Sequence, residues 1–318
     1  MRALLLALTL STNLFAAQAP EFVGLTGWIN SEPTTLQSLR GKVVLIDFWD
    51  YSCINCIRTL PHLNRWYKEY GDKGFTIVGI HTPEFAFEHD IENVKKAVKR
   101  FDIHYPVALD NDYKTWRAYN NKYWPTSYLV DKEGTIRLKH IGEGKYLELE
   151  NAIRELLALE PVKDLEAEKF SLRTTPEIYL GSKRAENYTA DTTLKPNSVH
   201  TYTFKEPLKD DTVGLKGLFR LSEESITSAG SNCSITLNFH ANKVHMVLSG
   251  TSQEPITLIL DGKPLSTAMY TEDMTSDGKI FVDASRKYDL IYLSGEPRRH
   301  TLQINLPPAI SCYSFTFG

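Results

Sequence analysis

The chain has 318 residues, 42% of them hydrophobic and 24% charged, with 36 basic and 39 acidic side chains, a net charge of −3 and four cysteines. This balance, with no basic cluster, leaves no electrostatic footprint for nucleic acid. The length predicts two domains, each able to bury a core.

At the start, Met1-Arg2 precedes an apolar run over residues 3–10, followed by Ser11-Thr12-Asn13 and Ala17-Gln18-Ala19. The run is too short to span a bilayer and reads as a secretory signal over residues 1–19, cut after Ala19 at an A-x-A site. No cysteine lies near the cut, so a soluble periplasmic or secreted product is expected, in a compartment where disulfides persist.

The next segment carries the chemistry. An apolar run, Val43-Val44-Leu45-Ile46, continues through Phe48 and Trp49 and reads as a buried strand. Ile57, Leu60, Leu63, Tyr67 and Tyr70 then recur at steps of three and four, one stripe of a helix beginning close to Cys53. Between strand and helix sits Cys53-Ile54-Asn55-Cys56. A thiol at a helix N-terminus faces unpaired N–H groups and the positive end of the dipole, which favours its thiolate. The two intervening residues return the second sulfur within reach of the first, so the pair can cycle between dithiol and disulfide. Cys53 reads as the attacking thiolate and Cys56 as the resolving thiol. A zinc site would need two further ligands, and Cys233 and Cys312 are remote and not paired as C-x-x-C, so no metal is expected; nor is a cofactor.

Asp47-Phe48-Trp49, three residues, Cys53-x-x-Cys56 and then Pro61 match the pattern of the thioredoxin superfamily, which the chain resembles. The resemblance implies that Asp47 is a buried carboxylate accepting a proton from the resolving thiol, work that needs a desolvated acid with a raised pKa. Pro61 should interrupt the helix after its first turns. Residues 22–40 look like the N-terminal hairpin of exported TlpA-type proteins. A second strand over residues 75–80 ends in His81-Thr82-Pro83-Glu84-Phe85. Glu84 is a candidate for proton shuttling to Cys56, with an exposed loop carboxylate as the alternative; His81 reads as structural. Ile91, Val94, Val98 and Phe101 mark an amphipathic helix inside an insertion, residues 85–113, of the kind that separates TlpA-type proteins from plain thioredoxin. Trp124-Pro125-Thr126 opens the strand over residues 127–130. The resemblance makes Pro125 cis, lying against the cysteine pair, presenting backbone to an extended substrate and blocking metal capture. It also places substrate contacts on Trp49, Trp124 and Thr126. A last strand covers residues 135–140, and Leu149, Ile153, Leu156 and Leu157 line a closing helix.

The thioredoxin-like domain is therefore set at residues 20–160, with a charged, proline-bearing linker over residues 161–175. Residues 176–318 change to short alternating strands around Tyr202, Ile235, Val244, Ile256, Ile280, Leu290, Leu302 and Phe315, with a type I′ turn at Asp261-Gly262. The predicted fold class is α/β thioredoxin-like followed by an all-β antiparallel, jelly-roll-like sandwich. Together with Thr175-Pro176-Glu177-Ile178-Tyr179-Leu180-Gly181 and the final Phe315-Thr316-Phe317-Gly318, this layout resembles the extracytoplasmic region of DipZ-type proteins, which join a thioredoxin-like domain to a carbohydrate-binding-module-like one. The membrane electron-transfer domain of that group is missing from the sequence, so reduction is expected from a separate membrane donor. Asp50 stands where the pattern has a neutral residue. A negative charge near Cys53 disfavours its thiolate, which implies a reducing protein acting on extracytoplasmic protein thiols and disulfides.

All five tryptophans precede the sandwich, which favours a protein-docking surface over a glycan site there. Cys233 and Cys312 are a candidate structural disulfide, left open because their strand phases fit only across a bulge. A thiol peroxidase would require a Pro-x-x-x-Thr motif leading into its cysteine, and none leads into Cys53. A pure binding protein would leave the C-x-x-C idle.

Overall fold

The computed structural model describes residues 17–163, 174–189 and 192–318. Most of the expected signal sequence, and most of the expected linker over residues 161–175, lie outside the described residues. Ala17, Gln18 and Ala19 are described: Gln18 bridges Thr135, and the Ala19 amide donates to Gly134 O at 2.9 Å.

The described residues divide into two compact units, the first made of residues 17–50, 59–84 and 95–163, the second of residues 51–58, 85–94, 174–189 and 192–318. The cysteine-bearing octapeptide thus counts with the second unit.

The thioredoxin-like part runs β1 (Gly27–Ile29), β2 (Val43–Trp49), α1 (Ile54–Tyr70), β3 (Phe75–His81), α2 (Ile91–Arg100), β4 (Val107–Leu109), α3 (Lys114–Ala118), β5 (Thr126–Val130), β6 (Ile136–Ile141) and α4 (Tyr146–Leu156). Its six-stranded sheet has the order β1-β4-β3-β2-β5-β6. β2, β3 and β4 are parallel, joined through helical crossovers, while β5, β6 and β1 are antiparallel to their neighbours. Every residue of β2 and β3 is buried, the reason both read as largely apolar runs; the edge strand β6 alternates instead. Pro61 lies inside α1.

The second unit continues with β7 (Ile178–Tyr179), β8 (Val199–Tyr202), β9 (Val213–Leu221), β10 (Ile226–Ser228), β11 (Cys233–His240), β12 (Lys243–Ser249), β13 (Thr257–Leu260), β14 (Lys263–Pro264), β15 (Arg286–Tyr292), β16 (Arg299–Leu306) and β17 (Ser311–Phe317). These strands form one curled antiparallel sheet, β14-β13-β16-β11-β9-β10-β17-β12-β15, with β7 on β17 and β8 on β9. The two walls of the expected sandwich are joined through β9, which the sequence pattern did not reveal. Its first half pairs with β11 and its second with β8 and β10. The change of partner falls at Gly217, whose φ is 116° and where a Cβ would come within 2.5 Å of Asn232 O. Asp261 and Gly262, both at positive φ, make the expected turn between β13 and β14. Ile280, expected in a strand, makes only an isolated bridge to Ile256. Phe219, Phe239, Met246, Tyr288, Leu302 and Phe315 fill the core between the walls.

Candidate functional site

The Cys53 carbonyl accepts the Ile57 amide at 3.0 Å, the first i to i+4 bond of α1, so Cys53 is the N-cap. Its sulfur accepts the Cys56 amide at 3.4 Å. The half-buried Cys53 thus meets the helix N-terminus as the spacing predicts, and a thiolate there gains a donor and the dipole. Cys56 is buried, and both are thiols in this structure. The Asp50 carboxylate, fully buried, lies with the two sulfurs in a cluster whose ligand atoms are all within 4.8 Å of one another. Among the described residues, Asp50, Cys53 and Cys56 form a group that could hold a metal ion; the spacing of paired cysteines does not reveal this carboxylate as a ligand.

Asp47, on β2, faces Ser127 on β5. Ser127 Oγ donates to Asp47 Oδ1 at 2.7 Å. Burial pushes the Asp47 carboxyl up to about 7 against the opposing effect of that hydrogen bond. It can therefore take and return a proton near neutral pH, as a base for thiol chemistry must.

The Trp124-Pro125 peptide is cis, and β5 begins directly after it. Trp124 is half-buried, its Nε1 donating to Thr82 O at 3.0 Å and its ring 4.3 Å from that of Trp116. Thr126 is buried and its hydroxyl donates to Tyr123 O, so its side chain is committed inward. Trp49 is fully buried, edge-on to His81 with centroids 5.3 Å apart; its ring packs the sheet and offers no face to a substrate, a correction to the sequence reading. Tyr123, 57% exposed beside Trp124, is the aromatic that the sequence reading passed over.

Glu84 follows β3 and is half-buried. Four residues on, Glu88 is fully buried: it accepts Ser52 Oγ at 2.6 Å and the Phe85 amide at 3.1 Å. Ser52 directly precedes Cys53, so Glu88 pins the approach to the cysteines, a role hidden in sequence because a glutamate in a polar stretch reads as surface. Cys233 and Cys312 are both buried and unbonded, the Cys233 thiol donating to Leu218 O at 2.9 Å. Burial first, then the neighbouring Cys233, pushes the Cys312 thiol far above its usual range.

Residues 175–318 match the family described as Thioredoxin like C-terminal domain, and residues 15–139 match the AhpC/TSA family. Protein DipZ of Mycobacterium bovis is 36% identical over 312 residues, covering 94% of this chain and 43% of that protein, so the chain spans less than half of DipZ. Thiol-disulfide oxidoreductase YkuV of Bacillus subtilis is 32% identical over 139 residues, covering 44% of this chain and 93% of that protein. Thiol-disulfide oxidoreductase ResA of Bacillus cereus is 32% identical over 139 residues, covering 44% of this chain and 76% of that protein.

Proposed function

Because the chain belongs to the thioredoxin-like thiol-disulfide oxidoreductases, we propose that it reduces disulfides of proteins outside the cytosol through Cys53 and Cys56. The Cys53 thiolate attacks a substrate S–S bond, one substrate sulfur leaves, and a mixed disulfide remains. Asp47 takes the proton of the Cys56 thiol, the new thiolate attacks Cys53 Sγ, and the second substrate sulfur departs as the Cys53–Cys56 disulfide forms. Two electrons pass from the pair to the substrate, and a dithiol partner at the membrane restores them. Cis-Pro125 and its neighbours, with Trp124 and Tyr123, are where an extended substrate chain is expected to lie, and Glu84 is proposed as a further proton carrier.

The observation that carries this reading is Cys53 Sγ at the N-cap of α1, accepting the Cys56 amide. The reducing direction is supported by Asp50: a buried carboxylate beside both sulfurs opposes a second negative charge. The potential should lie nearer the ~−270 mV of thioredoxin than the ~−120 mV of a strong oxidant. Equilibration with glutathione tests it, and a value near the oxidant's reverses the direction. Trapping with Cys56→Ser, which stalls the mixed disulfide, identifies substrates. For the second unit, protein docking is proposed, with glycan binding as the alternative that a glycan array decides. Peroxide consumption that Cys53→Ser abolishes would favour a thiol peroxidase instead.

A further inference from the structure

Asp50, Cys53 and Cys56 belong to one seven-residue stretch, which leaves β2 after Trp49 and enters α1 at Ile54, so the local course of the backbone decides how they meet. Asp50 is fully buried and Cys56 is 1% exposed, while Cys53, at the head of the helix, is half-buried. A carboxylate oxygen and the two sulfurs all lie within 4.8 Å of one another. Among the described residues no other three His, Cys, Asp or Glu side chains bring their donor atoms so close together.

That spacing fits one ion. Zinc takes thiolate sulfur at about 2.3 Å and carboxylate oxygen at about 2.0–2.2 Å, and tetrahedral angles then set the donors about 3.5–3.8 Å apart. The three gaps need close by no more than about 1.3 Å to reach this, and rotation about the Cα–Cβ bond of the half-buried Cys53 supplies such a movement. Charge points the same way. Two thiolates and a carboxylate gather three negative charges where two of the three side chains are out of water, and buried charges are stable when they are paired or coordinate a metal. A divalent cation cancels most of that charge.

The sequence reading set metal aside because a zinc site needs two ligands beyond the cysteine pair. Asp50 supplies the first of them. The second is the position that catalytic zinc sites leave open to water or an incoming group, whereas structural sites close it with protein. Here the opening falls at Cys53, since the other two ligands are buried. Thiolates select zinc and copper(I) alike, and the carboxylate oxygen, a harder donor, selects zinc of the two. The exclusion of metal that the resemblance implied for Pro125 was framed for two sulfurs; this stretch of chain provides three donors.

We propose that the dithiol form of the chain binds one zinc ion through Cys53 Sγ, Cys56 Sγ and a carboxylate oxygen of Asp50, with the fourth position open. Each thiol gives its proton to solvent as its sulfur bonds the metal, and no electrons move. The disulfide form has no thiolate to offer and does not hold the ion. While zinc is bound, neither sulfur is free to attack a disulfide, so the ion keeps the reductase shut until a stronger chelator takes it. The shut state rests on the reductase reading and the site does not: a potential near the strong oxidant's would reverse the direction of exchange and leave zinc binding to the dithiol form intact.

Cobalt(II) added to the pre-reduced full chain reports the ligands, because thiolate coordination gives a near-ultraviolet charge-transfer band and tetrahedral geometry gives visible bands. Both are expected to saturate at one cobalt per chain, to vanish on addition of one equivalent of zinc, and to be missing from the disulfide form. One equivalent of zinc should also abolish disulfide reduction, and EDTA should restore it; reduction that bound zinc leaves unchanged overturns the shut state. In competition with a chromophoric chelator, Asp50→Asn should bind zinc about tenfold more weakly or worse, and Cys53→Ser should lose the charge-transfer band. A wild-type dithiol form without that band overturns the proposal. So does an affinity that Asp50→Asn leaves unchanged, or binding that survives in Cys53→Ser, which would place the ion elsewhere. Should a variant fail to fold, the comparison of wild-type dithiol and disulfide forms still decides.

Discussion

Replacing Asp47 by Asn tests whether this carboxyl is held in the wrong charge state for its surroundings. Its pKa is raised from 3.8 to about 7 by burial, against the donated hydrogen bond of Ser127. A group raised in the folded state binds more protons there than in the unfolded chain, so the contribution of Asp47 to stability is greatest below about pH 4, falls as pH rises, and levels off above pH 7. A rise of that size corresponds to roughly 4 kcal/mol, an upper figure because the site can relax on ionisation. Asn keeps an oxygen for Ser127 and carries no charge. The variant should therefore match wild type at pH 4 and exceed it by about 2–4 kcal/mol at pH 8 in urea unfolding of the dithiol form. The same substitution should slow release of the second substrate sulfur in single-turnover reduction by about a hundredfold. A stability difference that is the same at pH 4 and pH 8 would refute the reasoning, because it would place the titration of Asp47 outside that window.

Glu150, buried, takes both Arg65 Nη1 at 2.8 Å and Nη2 at 2.5 Å, along with the Tyr70 hydroxyl at 2.6 Å, and so joins α1 to α4. Burial raises its pKa, but these donors prevail and bring it down to about 2; its contribution is present above the unfolded value and lost as pH falls through 2. Glu150→Gln should cost about 1–3 kcal/mol at pH 7, a figure kept low by the 40% exposure of Arg65, and the gap to wild type should close near pH 2 in denaturant melts. Asp50→Asn should raise the reduction potential by about 30 mV or more for each tenfold gain in Cys53 acidity, measured against glutathione; an unchanged potential would remove Asp50 from the account of direction. Under native conditions iodoacetamide should label Cys53 alone, since Cys56, Cys233 and Cys312 are buried; mass spectrometry showing Cys233 or Cys312 labelled at a similar rate would contradict the packing of the second unit.

What the sequence disclosed follows burial on one side and local geometry on the other. β2 and β3 were legible because both faces are covered and each position must be apolar, so Asp47 stood out as the one charged group in β2. The cysteine pair and Pro125 were legible because their chemistry depends on spacing within a few residues. β9 was hidden because Gly214, Lys216, Gly217 and Arg220 break its alternation where the strand changes partners. Glu88 was hidden because a polar side chain looks alike in sequence whether water or another segment covers it, and here the partner, Ser52, is remote in the chain. Trp49 misled because an aromatic next to a reactive turn looks like a binding surface when it is the end of a buried strand.

The most direct measurement is stoichiometric reduction of a protein disulfide by the pre-reduced full chain, with thiols counted before and after in wild type, Cys53→Ser and Cys56→Ser. Wild type should reduce one disulfide per chain and lose two thiols, Cys56→Ser should stop at a mixed disulfide through Cys53, and Cys53→Ser should be inert. Reduction that proceeds equally in Cys53→Ser and wild type would contradict the assignment of this chemistry to the head of α1.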